Sequence, residues 1–175
     1  DMICLRHPLE NAPYIAEKNT SAIIINCGNG RDQHPTQSLL DLYTIWKQFN
    51  RLDNLDIIIA GDLKNSRSAH SLLIALSIFD NNKIKLISPN HLRMPQKYLD
   101  IVQNKINLKE INKFEINQED IVYMAGFSPV ESNLDEVHEY NLTLNLTKKL
   151  KSQAIILTPL PRITKILITH WHGDH

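Results

Sequence analysis

Cysteine is scarce in this sequence, with two in 175 residues, Cys4 and Cys27. Both stand in short apolar runs and cannot form a disulfide framework, which points to a reducing compartment, with the cytosol as the expected location. Net charge is absent as well. Nineteen Lys and Arg balance nineteen Asp and Glu, and no basic run occurs, which argues against a sequence-independent nucleic-acid binder or a protein drawn to acidic membranes. No apolar stretch approaches the ~18 residues of a spanning helix, and the opening residues, Asp1 to Arg6, lack the layout of a signal peptide. Internal repeats are missing, and so are low-complexity tracts beyond a general richness in Asn, Ile and Lys. What remains is a folding chain, because 42% apolar residues in 20.1 kDa suffice for a real core. The ends read as cut. The chain opens without an initiator Met on the apolar run Met2 to Leu5 and stops on a dense polar cluster, so a fragment is expected.

Short β-branched runs alternate with longer helix-period ones. Ala22 to Ile25, Asp56 to Ala60, Ile84 to Ile87, Ile121 to Met124 and Ala154 to Leu157 are brief and almost continuously apolar, as strands buried on both faces should be. Leu39, Leu40, Leu42, Tyr43 and Trp46 recur at helical spacing after the first, and Leu72, Leu73, Ala75, Leu76 and Phe79 after the second. This alternation predicts an α/β fold, a doubly wound parallel sheet with helices on both faces and ligand-binding loops at the carboxyl ends of the strands. The stretch from Lys105 to Glu119 is polar and alternating, and reads as a surface strand or loop.

The chemistry sits where that topology places ligands. Asn26 to Gln37 follows one strand: Gly28 and Gly30 allow close backbone approach to a ligand, Pro35 suits the first turn of a helix, and His34 and Gln37 are presented at its N-terminus. That loop is either a seat for a small anionic or carbonyl substrate or a tight turn whose His caps the helix. Arg67, after the turn Lys64-Asn65-Ser66, either forks two donors onto a carboxylate or phosphate or is a solvated turn residue. Arg6, ahead of His7 and Pro8, is a third cation at a strand end. Convergence of Arg6, His34 and Arg67 on one crevice would be stronger evidence than any one of them.

The segments LRHPLENA (5–12), INCGNGRDQHPTQSLLDLYTI (25–45), LDNLDIIIAGDLKNSRSAHSLLIALSIF (52–79) and LTPLPRI (157–163) occur in order. Together they resemble the aspartate/ornithine carbamoyltransferase family, and its aspartate branch in particular. The ornithine branch typically reads His-Pro-Cys-Gln and Cys-Leu-Pro where this chain has His34-Pro35-Thr36-Gln37 and Pro159-Leu160-Pro161. The resemblance implies the end of a carbamoyl-phosphate-binding domain over 1–33, an interdomain helix over 34–50, a Rossmann-like aspartate/ornithine-binding domain over 51–166 and an atypical His-rich tail over 167–175. It implies transfer of the carbamoyl group from carbamoyl phosphate to the amino group of L-aspartate, as in pyrimidine biosynthesis, with no metal, no cofactor and no covalent enzyme intermediate. Arg6, His34 and Gln37 would hold carbamoyl phosphate, Arg6 and His34 acting catalytically by polarising its carbonyl. The Leu160-Pro161 turn would meet the carbamoyl amino group, and Arg67 would grip an aspartate carboxylate. Such proteins are similar in forming cytoplasmic homotrimers, sometimes with regulatory chains; no nucleic acid or membrane partner is implied.

Three departures qualify this. The family's upstream phosphate loop has no counterpart here, so this span alone is expected not to turn over. Gly126 stands where the family carries an Arg for the second aspartate carboxylate, and Thr158 where His usually precedes Pro-Leu-Pro. A catalytically impaired paralogue acting as a binding or assembly module, or a carbamoyltransferase with another amino acceptor, is the alternative. Finally, His170, His172, Asp174 and His175 resemble the His-x-His-x-Asp-His signature of metallo-β-lactamase-fold hydrolases. They are either an alternative metal set or a terminus with no metal role.

Overall fold

The computed structural model describes residues 1–127 and 134–159. A parallel pair comes first: β1 (Met2–His7), α1 (Ala12–Lys18) and β2 (Ile23–Asn29), with Met2 beside Ile23 and Leu5 beside Asn26. The strand predicted over 22–25 therefore runs on through Gly28 to Asn29, four residues into what the sequence suggests is loop. Helix α2 (Pro35–Phe49) then leads to a second sheet.

That sheet has five parallel strands: β3 (Asp56–Ala60), β4 (Lys83–Ile87), β5 (Asn107–Ile111), β6 (Ile121–Met124) and β7 (Ile155–Leu157), in the order β5-β4-β3-β6-β7. The connections are α3 (Arg67–Leu76), α4 (Gln96–Val102), α5 (Leu134–Glu139) and α6 (Leu144–Thr147). The chain winds outward from β3 to β5, then returns to the other side of β3 as β6, so the strand order reverses at the carboxyl end of β3. Open α/β sheets receive ligands at such a reversal.

β3 is apolar on both sides because both are covered. Ile57 and Ile59 pack with Leu72, Leu73, Leu76, Tyr98 and Val102 on one face, and Ile58 and Ala60 pack with Leu92, Ile116, Phe127 and Tyr140 on the other. Each fully buried isoleucine contributes about 1.5–3 kcal/mol, enough to fix the register of this central strand. The doubly wound expectation holds. Two details differ from it. In α2 the residues turned inward are Ser38, Asp41 and Ile45, while Leu39, Leu40, Tyr43 and Trp46 are exposed, so of the apolar stripe legible in the sequence only Leu42 packs on the core. Within 105–119, β5 is the predicted surface strand at the sheet edge, but Ile116 and Glu119 are 1% and 2% exposed. Lys85 pairs with the buried Glu119 carboxylate, which also accepts from the Asn117 amide at 2.7 Å.

Candidate functional site

The turn after β3 is built around a close approach of two backbones. Gly61 has φ +121, and a Cβ there would lie 2.7 Å from the Gly126 carbonyl oxygen; the Asp62 amide donates to that same oxygen at 2.8 Å. Only glycine meets both demands. The buried Asp62 carboxylate accepts from the Asn65 amide at 3.0 Å and from Asn65 Nδ2 at 2.9 Å, closing the turn. The Ser66 hydroxyl then caps α3 by accepting from the Ala69 amide. Arg67 is thus the first helical residue, and its side chain crosses to the other sheet, where Nη1 donates to the Gly30 carbonyl at 3.1 Å.

Asn29 organises the facing loop. Fully buried, it accepts from Asn26 Nδ2 at 2.8 Å and from the Gln33 amide at 3.1 Å, and it donates to the Glu10 carbonyl. The Gly30 amide donates to the His7 carbonyl at 2.9 Å, which draws the end of β1, with Arg6, to the end of β2. From the other side, Asp32 Oδ1 accepts from Lys97 Nζ at 2.8 Å and from the Tyr98 hydroxyl at 2.7 Å. His70, stacked on Tyr98 at 4.1 Å, faces the carbonyls of Asp32 and Leu63 with its two ring nitrogens. These contacts hold the 29–33 loop against α3 and α4.

His34 fulfils the capping role that the sequence left open for it. Its Nδ1 accepts from the Gln37 amide at 3.3 Å, capping α2, with Thr36 Oγ1 3.2 Å away. An accepting Nδ1 places the proton of the neutral ring on Nε2, which makes that nitrogen a donor. Burial lowers its pKa, and the charges of Arg67 and then Arg6 lower it further, so it stays neutral at pH 7. Gln37 is steadied from behind, its Nε2 donating to Asp41 Oδ1 at 3.0 Å. Burial pushes the Asp41 carboxyl up to about 6. Its Oδ2 and the Tyr123 hydroxyl are buried without a hydrogen-bond partner among the described residues.

Arg6, His7, Pro8, Gly30, Arg31 and Arg67 line one open cleft of about 460 Å³. Two of the predicted residues, Arg6 and Arg67, share its wall; His34 and Gln37, at the start of α2, are not among its lining residues. The charge of Arg6 is felt at both His34 and Arg67, and burial together with Arg6 lowers the pKa of Arg67. An electropositive cleft beside a neutral ring donor suits a small substrate carrying several negative charges and a carbonyl to polarise. Leu160 and Pro161 lie outside the described residues, as do His170, His172, Asp174 and His175. Among the described residues no group of three or more His, Cys, Asp or Glu side chains could hold a metal ion, and no helix is long and apolar enough to cross a membrane. The sequence reading passed over Arg31, Asp41, Asn29 and the Asp32-His70-Tyr98 support; of these Arg31 carried a visible signal, a cation directly after Gly30.

Fold and cleft define a parallel α/β protein with an arginine-lined crevice at its strand ends. Two family models match in succession: the carbamoyl-P binding domain of aspartate/ornithine carbamoyltransferase over residues 1–47, and the Asp/Orn binding domain over residues 53–169. The chain belongs to the aspartate/ornithine carbamoyltransferase family. It is 40% identical over 171 residues to an aspartate carbamoyltransferase catalytic subunit of Methanococcus maripaludis and 41% identical over 171 residues to that of Archaeoglobus fulgidus. In both comparisons 95% of this chain covers 56% of the relative, so the chain spans about half the length of the curated relatives it matches. Among solved structures, the catalytic subunit of M. jannaschii aspartate transcarbamoylase superposes with a TM-score of 0.80 at 36% identity, covering 93% of this chain and 55% of that one. The Trypanosoma cruzi aspartate transcarbamoylase in complex with N-(phosphonacetyl)-L-aspartic acid superposes at 0.85 with 28% identity, over 93% of this chain and 55% of that one.

Proposed function

We propose that this chain contributes to the transfer of the carbamoyl group of carbamoyl phosphate to the amino group of L-aspartate, giving N-carbamoyl-L-aspartate and phosphate. The observation that carries the reading is the shared cleft of Arg6 and Arg67 where the ends of β1, β2 and β3 come together, with His34 near enough to feel both charges. In the reaction the aspartate amine attacks the carbamoyl carbon, negative charge builds on the carbonyl oxygen, and the phosphate leaves with the electrons of the C–O bond and takes up the proton that the amine nitrogen loses. A neutral His34 with its proton on Nε2 donates to that oxygen, and Arg6 neutralises charge on the same substrate. Gln37, held by Asp41, orients the carbamoyl group, and Arg67 anchors a carboxylate of the acceptor. Leu160 and Pro161 belong to this proposal through the family resemblance, as do the domain boundaries near residues 33, 50 and 166, a cytoplasmic setting and a homotrimer with or without regulatory chains.

Phosphate release by the whole protein, followed with and without amino acids, tests the reading. Release from carbamoyl phosphate that depends on aspartate is expected; no release with any amino acid would overturn it. Gly126 favours a second reading, a site tuned to another acceptor, and release with a different amino acid would select it.

A further inference from the structure

The cleft holds one cation more than the proposed roles employ. Arg31 lines it together with Arg6 and Arg67. Its position is set by the same turn that sets Arg67: Arg31 Nη1 donates to Asn65 Oδ1 at 2.6 Å, Asn65 is clamped by the buried Asp62 carboxylate, and Arg67 follows Asn65 by two residues. The two side chains cross in opposite directions: Arg31, from the loop after β2, reaches Asn65 just ahead of α3, and Arg67, from the start of α3, reaches the Gly30 carbonyl.

The loop after β6, which borders the same turn through the Asp62 to Gly126 hydrogen bond, has nothing comparable to offer. From Ala125 to Val137 the sequence contains no Lys, Arg or His, and it contains Glu131, Asp135 and Glu136. Carbamoyl phosphate brings a phosphate and a dicarboxylate acceptor brings two carboxylates. With Arg6 engaged at the phosphate end and Arg67 on one carboxylate, Arg31 is the remaining guanidinium of the cleft among the described residues.

We propose that Arg31 is a specificity-determining residue, taking the second carboxylate of the amino acceptor while Arg67 takes the first. This rests on the carbamoyl-transfer reading and names what makes the site prefer a dicarboxylic acceptor. Arg31 exchanges its contact with Asn65 for, or shares it with, the carboxylate, as a guanidinium with five donors can.

Calorimetric titration of the whole protein with two bisubstrate mimics tests this: N-phosphonoacetyl-aspartate, and N-phosphonoacetyl-glycine, which lacks one carboxylate. The wild type is expected to bind the first about tenfold or more tighter than the second. Arg31→Gln should bring the two within about twofold, Arg31→Lys should keep part of the preference, and the glycine compound should bind all three proteins alike, which would show that fold and phosphonate end are intact. An Arg31→Gln protein that keeps the full preference, or loses affinity equally for both compounds, overturns the assignment while the transfer reading stands. A wild type that binds neither compound overturns the transfer reading and this assignment with it.

Discussion

The guanidinium of Arg67 lies directly against the backbone of Gly28: a Cβ added at Gly28 would stand 2.8 Å from Arg67 Cζ and 2.9 Å from Nη1. Gly28 also has φ +116, where a side chain is strained. The last turn of β2 is thus shaped to let a residue of α3 cross over it, and the crossing carries a cation from the five-stranded sheet to the cleft beside the two-stranded one. Neither residue alone shows this in the sequence; their contact does.

Gly28→Ala should therefore act through Arg67. Backbone strain of about 1–3 kcal/mol is expected in a thermal melt, together with a rise of about tenfold or more in the KM for the amino acceptor. The double variant Gly28→Ala, Arg67→Ala should show no larger KM than Arg67→Ala alone. Additive losses would place the effect of Gly28 elsewhere.

The two roles of His34 are separable. His34→Ala removes the cap, at a cost of about 0.5–2 kcal/mol of stability, and the Nε2 donor, lowering kcat by about 10²–10³-fold. His34→Asn offers a capping oxygen to the Gln37 amide and should recover the melting temperature without recovering kcat. Recovery of both would show that His34 matters only as a cap.

Much of this was legible beforehand, for physical reasons particular to each element. Four strands of the five-stranded sheet, β3, β4, β6 and β7, show as short apolar runs because burial on both faces reduces the need for alternation, as the covering of Ile57, Ile58 and Ile59 illustrates; the run in β2 is apolar although Ile23 is exposed. Arg6, His34 and Arg67 are visible because strand-end loops are where a wound sheet puts ligands. α2 misled because its inner face is partly polar: Asp41 and Ser38 turn inward beside Ile45 to serve Gln37 and the Pro35 carbonyl, while Leu39, Tyr43 and Trp46 face out. Supports such as Asp32 with His70 and Tyr98 join positions 38 and 66 residues apart, and no local pattern announces them.

Asp41 should make stability depend on pH. Burial raises its pKa from 3.8 to about 6 in the folded protein, so folding favours the protonated acid. Its contribution is fully present below pH 3.8 and is lost as pH rises through about 6. The loss is on the order of 3 kcal/mol. Asp41→Asn keeps an acceptor for Gln37 and should flatten this part of the profile, gaining stability over the wild type at pH 8 and not at pH 4. Parallel profiles for the two proteins between pH 4 and pH 8 would contradict the buried carboxyl.

The Lys85 to Glu119 pair gives a control far from the cleft. Glu119 is 2% exposed and Lys85 is its cation, so Lys85→Met strands a buried carboxylate and should cost about 3–5 kcal/mol. The KM values of protein that remains folded should be unchanged. Equal losses of stability and substrate affinity would mean that the two ends of β4 are coupled.

The central claim is that the cations gathered at the strand ends carry a carbamoyl group to aspartate. The direct measurement supplies the whole protein with carbamoyl phosphate labelled with ¹³C at the carbonyl carbon and an equimolar mixture of aspartate, glutamate, asparagine and ornithine, and reads the products by NMR. N-carbamoyl-aspartate as the dominant labelled product, lost with Arg67→Ala, is the predicted result. Label on ornithine, or no enzyme-dependent product at all, would contradict the account.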